Sequence, residues 1–267
     1  MADIQLVYKG KPGESANARG GFSTTLEISG PQDLARQLRG SNAMLALQQL
    51  VVSGAGRRSI TDAGAQKIGV QILFDTAKAN GTFNAKPFTF DFDRNARPAT
   101  IDQDKLQQIC WGMAMGGRHY SLGPKGEYLN GDASADAHGE ALAVSIDAPV
   151  RVPDEPVAVG QSWTTEWSGA RKQKESGAAF LYRQTATLDA VDGSKARLAF
   201  TLNGTLVFSS QPSPQREESK LETKGVVVLD LDTGMPASIR SEGVITTELK
   251  VAGIKLVRGV SSNYDIG

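Results

Sequence analysis

Residues 225–239 read GVVVLDLDTGMPASI, an apolar run that leads into Asp-Leu-Asp-Thr-Gly at residues 230–234. A β-branched run of this kind is typical of a strand. Asp, Thr and Gly are typical of a tight turn, because Asp accepts backbone hydrogen bonds and Gly allows the chain to reverse. Pro236 then restricts the backbone on the exit side. The stretch therefore predicts two strands joined by a turn.

Two enzyme families contain a similar stretch. In haloacid-dehalogenase-type phosphatases an apolar strand ends in Asp-x-Asp, so Asp230 would be the nucleophile and Asp232 the general acid and base. That chemistry needs Mg²⁺ and a parallel sheet with helical crossovers, whereas the short tail after Asp232 is typical of β hairpins. Aspartic proteases resemble it through Asp-Thr-Gly at 232–234, but the internal counterpart at 93–95 is Asp-Arg-Asn. A turn is the favoured interpretation.

Charge and composition argue against several function classes. The 267 residues contain 29 Lys+Arg and 29 Asp+Glu, so no basic surface for a nucleic acid is expected. No apolar stretch is long enough to predict a transmembrane segment. The single cysteine, Cys110, excludes an internal disulfide, and the two histidines, His119 and His138, are too few for a His-rich metal site. His119 also has no Gly-x-Ser-x-Gly element beside it, so we predict no catalytic residue, metal or cofactor.

Strand patterns cover most of the chain. Alternating or β-branched segments are bounded by turn residues, as at Asp192-Gly193 and at residues 123–126, which predict hairpins. Residues 9–21 predict a flexible loop, and residues 209–219 an exposed hairpin tip. The predicted strands are 4–8, 22–28, 70–74, 88–92, 162–167, 180–188, 196–208, 225–231, 237–249 and 254–260.

Residues 102–115 give the clearest helix. Leu106, Ile109, Cys110 and Met113 recur at helical spacing, and a Gly-Gly pair follows. Shorter helices are predicted near 31–38 and within 132–144. The predicted fold is therefore mainly β, of the α+β class: one or two curved antiparallel sheets or a half-barrel, with two or three short helices. The helix would cover the apolar face that an open sheet exposes.

The Pro-rich segment 152–160, VPDEPVAVG, predicts a linker or a rigid extended crossing. It would separate a β-rich N-terminal half, 1–150, from an antiparallel β half, 151–267, although one continuous domain stays open. A short internal repeat fits two halves, because FDFDRNARPATI at 90–101 matches LDLDTGMPASI at 229–239.

Four large side chains are the candidate ligand-binding residues. Trp163 and Trp167 are four apart on a predicted strand and so share a face. Trp111 and Met113 belong to the predicted helix. They would line an apolar pocket between sheet and helix, and the alternative is an ordinary core.

Residues 153–163, PDEPVAVGQSW, resemble a Pro-Val-x-Val-Gly-x-x-Trp motif of an uncharacterised family of exported bacterial envelope proteins. The likeness extends over YRQTATLDAVDGSKARLAF, residues 182–200, and the turn at 230–234. It implies a periplasmic or cell-envelope location, while the start MADIQLVYKG contains no signal peptide and leaves the cytoplasm open. A looser likeness is to lipoprotein carriers, whose curved sheet holds acyl chains, and it is one of fold alone.

Three functions are therefore considered. The first is a non-enzymatic binding protein that holds an apolar small molecule or lipid in a β cup. The second is a structural or interaction protein of the bacterial envelope, and the third is a small-molecule enzyme on the same fold. The sequence predicts neither the ligand nor the oligomeric state.

Overall fold

The computed structural model describes residues 3–10, 15–30, 56–64, 67–83, 85–93, 118–127, 129, 150–172, 176–210, 216–249 and 254–266. These residues contain twelve β-strands and no helix. The strands are β1 (Ser15–Ser29), β2 (Gly56–Ala63), β3 (Ile68–Phe74), β4 (Thr76–Phe83), β5 (Lys86–Asp93), β6 (Arg118–Leu122), β7 (Ser162–Lys172), β8 (Ser176–Asp192), β9 (Lys195–Ser210), β10 (Arg216–Asp230), β11 (Met235–Leu249) and β12 (Ile254–Ile266).

The strands form one sheet in the order β6-β3-β2-β1-β12-β11-β10-β9-β8-β7, with β4 beside β1 and β5 beside β4. Every pair is antiparallel except β1 with β4, which is parallel. The end strands β6 and β7 are not paired with each other in the described part of the chain, so the sheet does not close there. The prediction of a mainly β, antiparallel protein is confirmed at this level. The predicted helices at 31–38, 102–115 and 132–144 lie outside the described residues.

Strands β7 to β12 form a meander in which each strand pairs with the next. Side chains alternate across the sheet, because successive residues of a strand point to opposite faces. In β8, for example, Tyr182 and Leu188 are buried while Leu181 and Arg183 are exposed. We call the buried side of β7–β11 the inner face. Its opposite side, the outer face, carries exposed ion pairs such as Lys224 with Glu242.

Two predicted loops are partly wrong, because the strands extend into them. Residues 15–21, predicted as loop, belong to β1, in which residues 15–18 pair with β2 and residues 18–21 pair with β12. Residues 216–219, predicted as a hairpin tip, open β10. The reason is visible in β10, where exposed Lys220 and Glu222 alternate with buried Leu221 and Thr223. Because the outer face of this strand is highly charged, the alternation of buried and exposed residues was not recognised in the sequence.

The predicted strand at residues 4–8 is also wrong. Only Ile4 forms a bridge, with Val157, and Tyr8 N–H instead donates to the carbonyl of Pro124 at 2.8 Å. This N-terminal segment packs with residues 150–161, which we call the crossing segment. That residues 152–160 form a linker or a rigid extended crossing stays a prediction. The Tyr8 hydroxyl is buried and accepts the Val150 N–H at 3.0 Å.

One hydrophobic core joins this crossing layer to the sheet. It contains Leu6 and Ile68 from before residue 150 together with Leu188, Val227 and Ile239 from after it. The sheet likewise takes strands from both sides of residue 150, since β1 pairs with β12. The division into 1–150 and 151–267 stays a prediction.

Candidate functional site

The two tryptophans of β7 lie at the end of the sheet, on the inner face. Trp163 pairs with Ala186 and Trp167 with Tyr182, and both tryptophans are half-buried against the core. The expectation that they share a face is met. Trp111 and Met113, the other two candidates, lie outside the described residues. A role of any of the four in binding a ligand stays a prediction.

An aromatic group surrounds Trp167. Its ring centroid is 5.4 Å from that of Tyr182, and Tyr182 is 5.4 Å from Phe180. The Arg151 guanidinium lies over the Trp167 ring, 4.5 Å from the centroid, within the range of a cation–π interaction. The rings of Trp167, Tyr182 and Phe180 therefore lie next to one another on the inner face of β7 and β8. We call Arg151, Trp163, Trp167, Phe180 and Tyr182 the edge cluster.

The main chain of Arg151 is fixed by side chains of the sheet. Its N–H donates to Gln184 Oε1 at 2.6 Å, and its carbonyl accepts from Trp163 Nε1 at 2.7 Å. Gln184 is 1% exposed, so its amide oxygen requires such a partner. These two bonds hold the crossing segment against the inner face. Gln184 is a polar residue among the apolar positions of an alternating strand. This could have indicated a buried hydrogen bond from the sequence, but it was not used in the prediction.

Glycines on the inner face lie under aromatic rings of the neighbouring strand. A Cβ at Gly169 would lie 2.6 Å from Phe180 Cζ, and one at Gly204 would overlap the ring of Tyr182. Gly225 is similar, with Phe200 Cε1 at 2.9 Å from a Cβ. Glycine in a strand interior marks a close approach of this kind. The glycines therefore leave room for the rings of the neighbouring strands.

Four buried hydroxyls lie on the inner face of β10 and β11. Ser219 and Thr247 are directly paired and bond to each other at 2.9 Å. Thr223 Oγ1 and Ser241 Oγ are also buried but have no hydrogen-bond partner within the described part of the chain. Among the side chains described on the inner face of β7–β11, none is Asp, Glu, Lys or Arg. The face is therefore apolar with a few neutral polar groups.

The Asp-Leu-Asp-Thr-Gly stretch is the turn between β10 and β11, as predicted. Asp230 Oδ1 accepts the N–H groups of Asp232 at 2.9 Å and Thr233 at 3.1 Å. The Lys195 ammonium is 3.6 Å from Asp230 Oδ2. The Thr233 N–H, with smaller contributions from the Asp232 N–H and Lys195, lowers the pKa of Asp230. Gly234 has a φ of 65°, which completes the reversal.

The first copy of the repeat differs in its strand end. Strand β5 continues through Asp93, the position that matches Asp232, whereas β10 ends at Asp230. The turn that would follow Asp93 lies outside the described residues.

The remaining sequence candidates form no site in the described part of the chain. His119 belongs to β6 and pairs with Gln71, while Cys110 and His138 are not among the described residues. No group of three or more His, Cys, Asp or Glu that could hold a metal is found where the chain is described. The same residues contain no helix with the length and apolar character needed to cross a bilayer.

Comparison with known proteins gives no relative: no protein-family model, no curated protein and no solved structure matches the chain.

Proposed function

We propose that the protein is a non-enzymatic binding protein that holds an apolar or lipid-like ligand against the inner face of its sheet. The observation that carries the proposal is the inner face of β7–β11, on which no described strand side chain is charged. Two half-buried tryptophans lie on this face at β7, the edge strand of the sheet. Tryptophan combines a large apolar surface with a polar N–H, which suits the boundary between an apolar site and water.

The energetics favour an extended apolar ligand over a small polar one. Each methylene group removed from water contributes about 0.8 kcal/mol, so an acyl chain lying along several strands does not need a charged contact in order to bind. The edge cluster would contact such a chain at the strand where the sheet ends. In this proposal the sheet is curved, and the helix predicted at 102–115, with Trp111 and Met113, covers the ligand. A periplasmic or cell-envelope location is part of the same proposal, supported by the motif at 153–163.

Native mass spectrometry of the purified protein tests this function, followed by denaturing extraction and lipid analysis. We expect a stoichiometric apolar molecule that is lost on denaturation. Trp167→Leu should reduce its occupancy, because the substitution shortens the apolar surface of the edge cluster. Leu181→Ala is the matched control, since Leu181 is 57% exposed on the outer face of the adjacent strand. An unliganded mass, with no uptake from a panel of lipids, would contradict the proposal.

The described residues add no support for the two alternatives. An interaction protein would be favoured by a contiguous exposed apolar patch. The large apolar residues exposed in the described part are Leu129, Leu181 and Val244, and the last two lie on β8 and β11, with two strands between them. An enzyme would be favoured by a titratable group with a shifted pKa in a cleft. The shifts at Asp230 and Tyr8 arise from a turn and from core burial.

A further inference from the structure

Four small residues occupy adjacent inner-face positions on β10 and β11. Thr223 is directly opposite Gly243, and Gly225 is directly opposite Ser241. The pairs on either side are large, with Leu221 opposite Ile245 and Val227 opposite Ile239. We call Thr223, Gly225, Ser241 and Gly243 the hydroxyl patch. The side chains of the patch are smaller than those of the apolar pairs on either side of it.

The Thr223 and Ser241 side chains of the hydroxyl patch lie directly beside the glycines of the opposite strand. A Cβ at Gly243 would overlap Thr223 Oγ1, and a Cβ at Gly225 would be 2.7 Å from Ser241 Cβ. Each side chain therefore fills the space that a side chain at its glycine neighbour would take. On the neighbouring strand β9, the Phe200 ring lies against Gly225, with Cε1 2.9 Å from the position of a Cβ there.

The hydroxyls of the patch differ from the other two hydroxyls on the same strands. Thr223 is 5% exposed and Ser241 is 7% exposed, and their oxygens have no hydrogen-bond partner within the described residues. Ser219 and Thr247 form a directly opposed pair further along the same face. They are also buried, and their hydroxyls are hydrogen-bonded to each other. A buried hydroxyl without a partner is costly, and most such groups in proteins have one. The patch therefore has two donors that a bound molecule would satisfy.

We propose that Thr223 and Ser241 donate hydrogen bonds to a neutral carbonyl of the bound ligand, of the kind found in an acyl ester. The inference rests on the proposed function and adds the chemical class of the ligand. A neutral acceptor fits because none of the described side chains that β7–β11 place on the inner face is cationic, and the Arg151 guanidinium lies over Trp167 of β7, three strands from β10. A carboxylate or phosphate buried without a cation would be strongly disfavoured. The apolar residues on both sides of the patch would contact the acyl chain.

The test compares two quenchers of tryptophan fluorescence that differ in one group. One is the methyl ester of dibrominated stearic acid, and the other is dibrominated octadecane, which has no carbonyl. Both are titrated into the full chain and into the double variant Thr223→Val, Ser241→Ala. We expect the wild-type chain to bind the ester more tightly than the alkane, and the double variant to lose about tenfold of that preference.

Two further variants separate ligand recognition from folding. Thr223→Ser keeps the hydroxyl and should keep the preference for the ester. Thr247→Val removes a buried hydroxyl that already has a partner, so it should lower stability and leave the preference unchanged. Without ligand, the double variant should unfold at no lower urea concentration than wild type, because the hydroxyls it loses have no partner.

The outcomes distinguish this inference from the function on which it rests. If wild type binds ester and alkane equally, or if the double variant keeps the preference, the hydroxyls hold no ligand carbonyl and the inference is overturned. An internal water bound to the two hydroxyls would give that result, and the binding function would stand. If neither probe binds wild type, the proposed function and the inference fail together.

Discussion

At the scale of single residues, the hydrogen bonds of the Asp230 carboxylate stabilise the turn in which it lies. It accepts two backbone N–H groups and lies beside the Lys195 ammonium. Asp232, two residues on, is exposed, and its backbone N–H is one of those two donors. The two carboxylates that could have formed an Asp-x-Asp catalytic pair thus have different environments, and only Asp230 has a structural role.

We expect Asp230→Ala to lower the free energy of unfolding by about 1–2 kcal/mol, because two backbone donors lose their acceptor. Asp232→Ala, the matched control, should change it by less than about 0.5 kcal/mol. The pKa of Asp230 is lowered in the folded state, so its contribution is present above the ordinary value of 3.8 and is lost as the pH falls through the folded value. Urea unfolding of the three proteins, at pH 7 and in acid, measures both effects. Equal losses for the two variants would contradict the assignment.

Tyr8 gives the opposite pH dependence. Its hydroxyl is buried and accepts the Val150 N–H, and burial raises the pKa of the phenol well above its ordinary value of 10.0. The folded state therefore resists ionisation, so the contribution of Tyr8 is complete below pH 10 and falls as the pH rises further.

We expect Tyr8→Phe to unfold more easily at pH 7, by about 1–3 kcal/mol, because the Val150 N–H loses its acceptor. The difference between the two proteins should narrow above the ordinary pKa of tyrosine, since only the wild-type protein has this phenol to ionise. Urea unfolding at a series of alkaline pH values measures the difference. A gap that stays constant or widens with pH would show that the Tyr8 hydroxyl does not resist ionisation in the folded protein.

At the scale of elements, the inner face depends on glycines placed under aromatic rings. Gly204 in β9 lies opposite Tyr182 in β8, and a Cβ at Gly204 would overlap the Tyr182 ring. Tyr182 is 1% exposed and also contacts Phe180 and Trp167. Displacing its ring would therefore disturb the edge cluster.

Gly204→Ala is expected to destabilise the protein by about 1–3 kcal/mol, as overpacking of a core does. The neighbouring change Asn203→Ala, on the exposed outer face of the same strand, is the control. In a Tyr182→Leu background the cost of Gly204→Ala should be smaller, because the overlapping ring is gone. Urea unfolding of the four proteins in this double-mutant cycle, with the Asn203→Ala control, measures the coupling. Additive effects would mean that the ring and the glycine do not constrain each other.

How much of each strand could be predicted depends on how many apolar residues it places on the inner face. Strands β8, β9 and β11 were found from sequence because apolar residues alternate along much of their length. The first half of β10 was missed, because Ser219 and Thr223 face inward in place of apolar residues. The shared face of Trp163 and Trp167 followed from spacing alone. The contact of Gln184 with Arg151 and the hydroxyl patch depend on the register between strands, which the pattern within one strand does not determine.

At the scale of the whole molecule, the sheet connects the two halves that the Pro-rich segment is predicted to separate. Strand β1 pairs with β12 from Ala18–Ile266 to Ser29–Lys255, and β12 continues the meander through β11. Leu6, at the start of the chain, belongs to the same core as Leu188 and Leu229. Contacts of this range favour unfolding in one step over independent unfolding of two domains.

Leu6→Ala tests that cooperativity. Leu6 is 2% exposed, and removing a buried leucine side chain typically costs about 2–5 kcal/mol. If the halves are one cooperative unit, far-UV circular dichroism and tryptophan fluorescence should report a single transition that moves equally in both signals. Leu181→Ala, exposed in β8, is the control and should leave both signals near wild type. Two separated transitions, of which Leu6→Ala moves only one, would instead establish the division between residues 150 and 151.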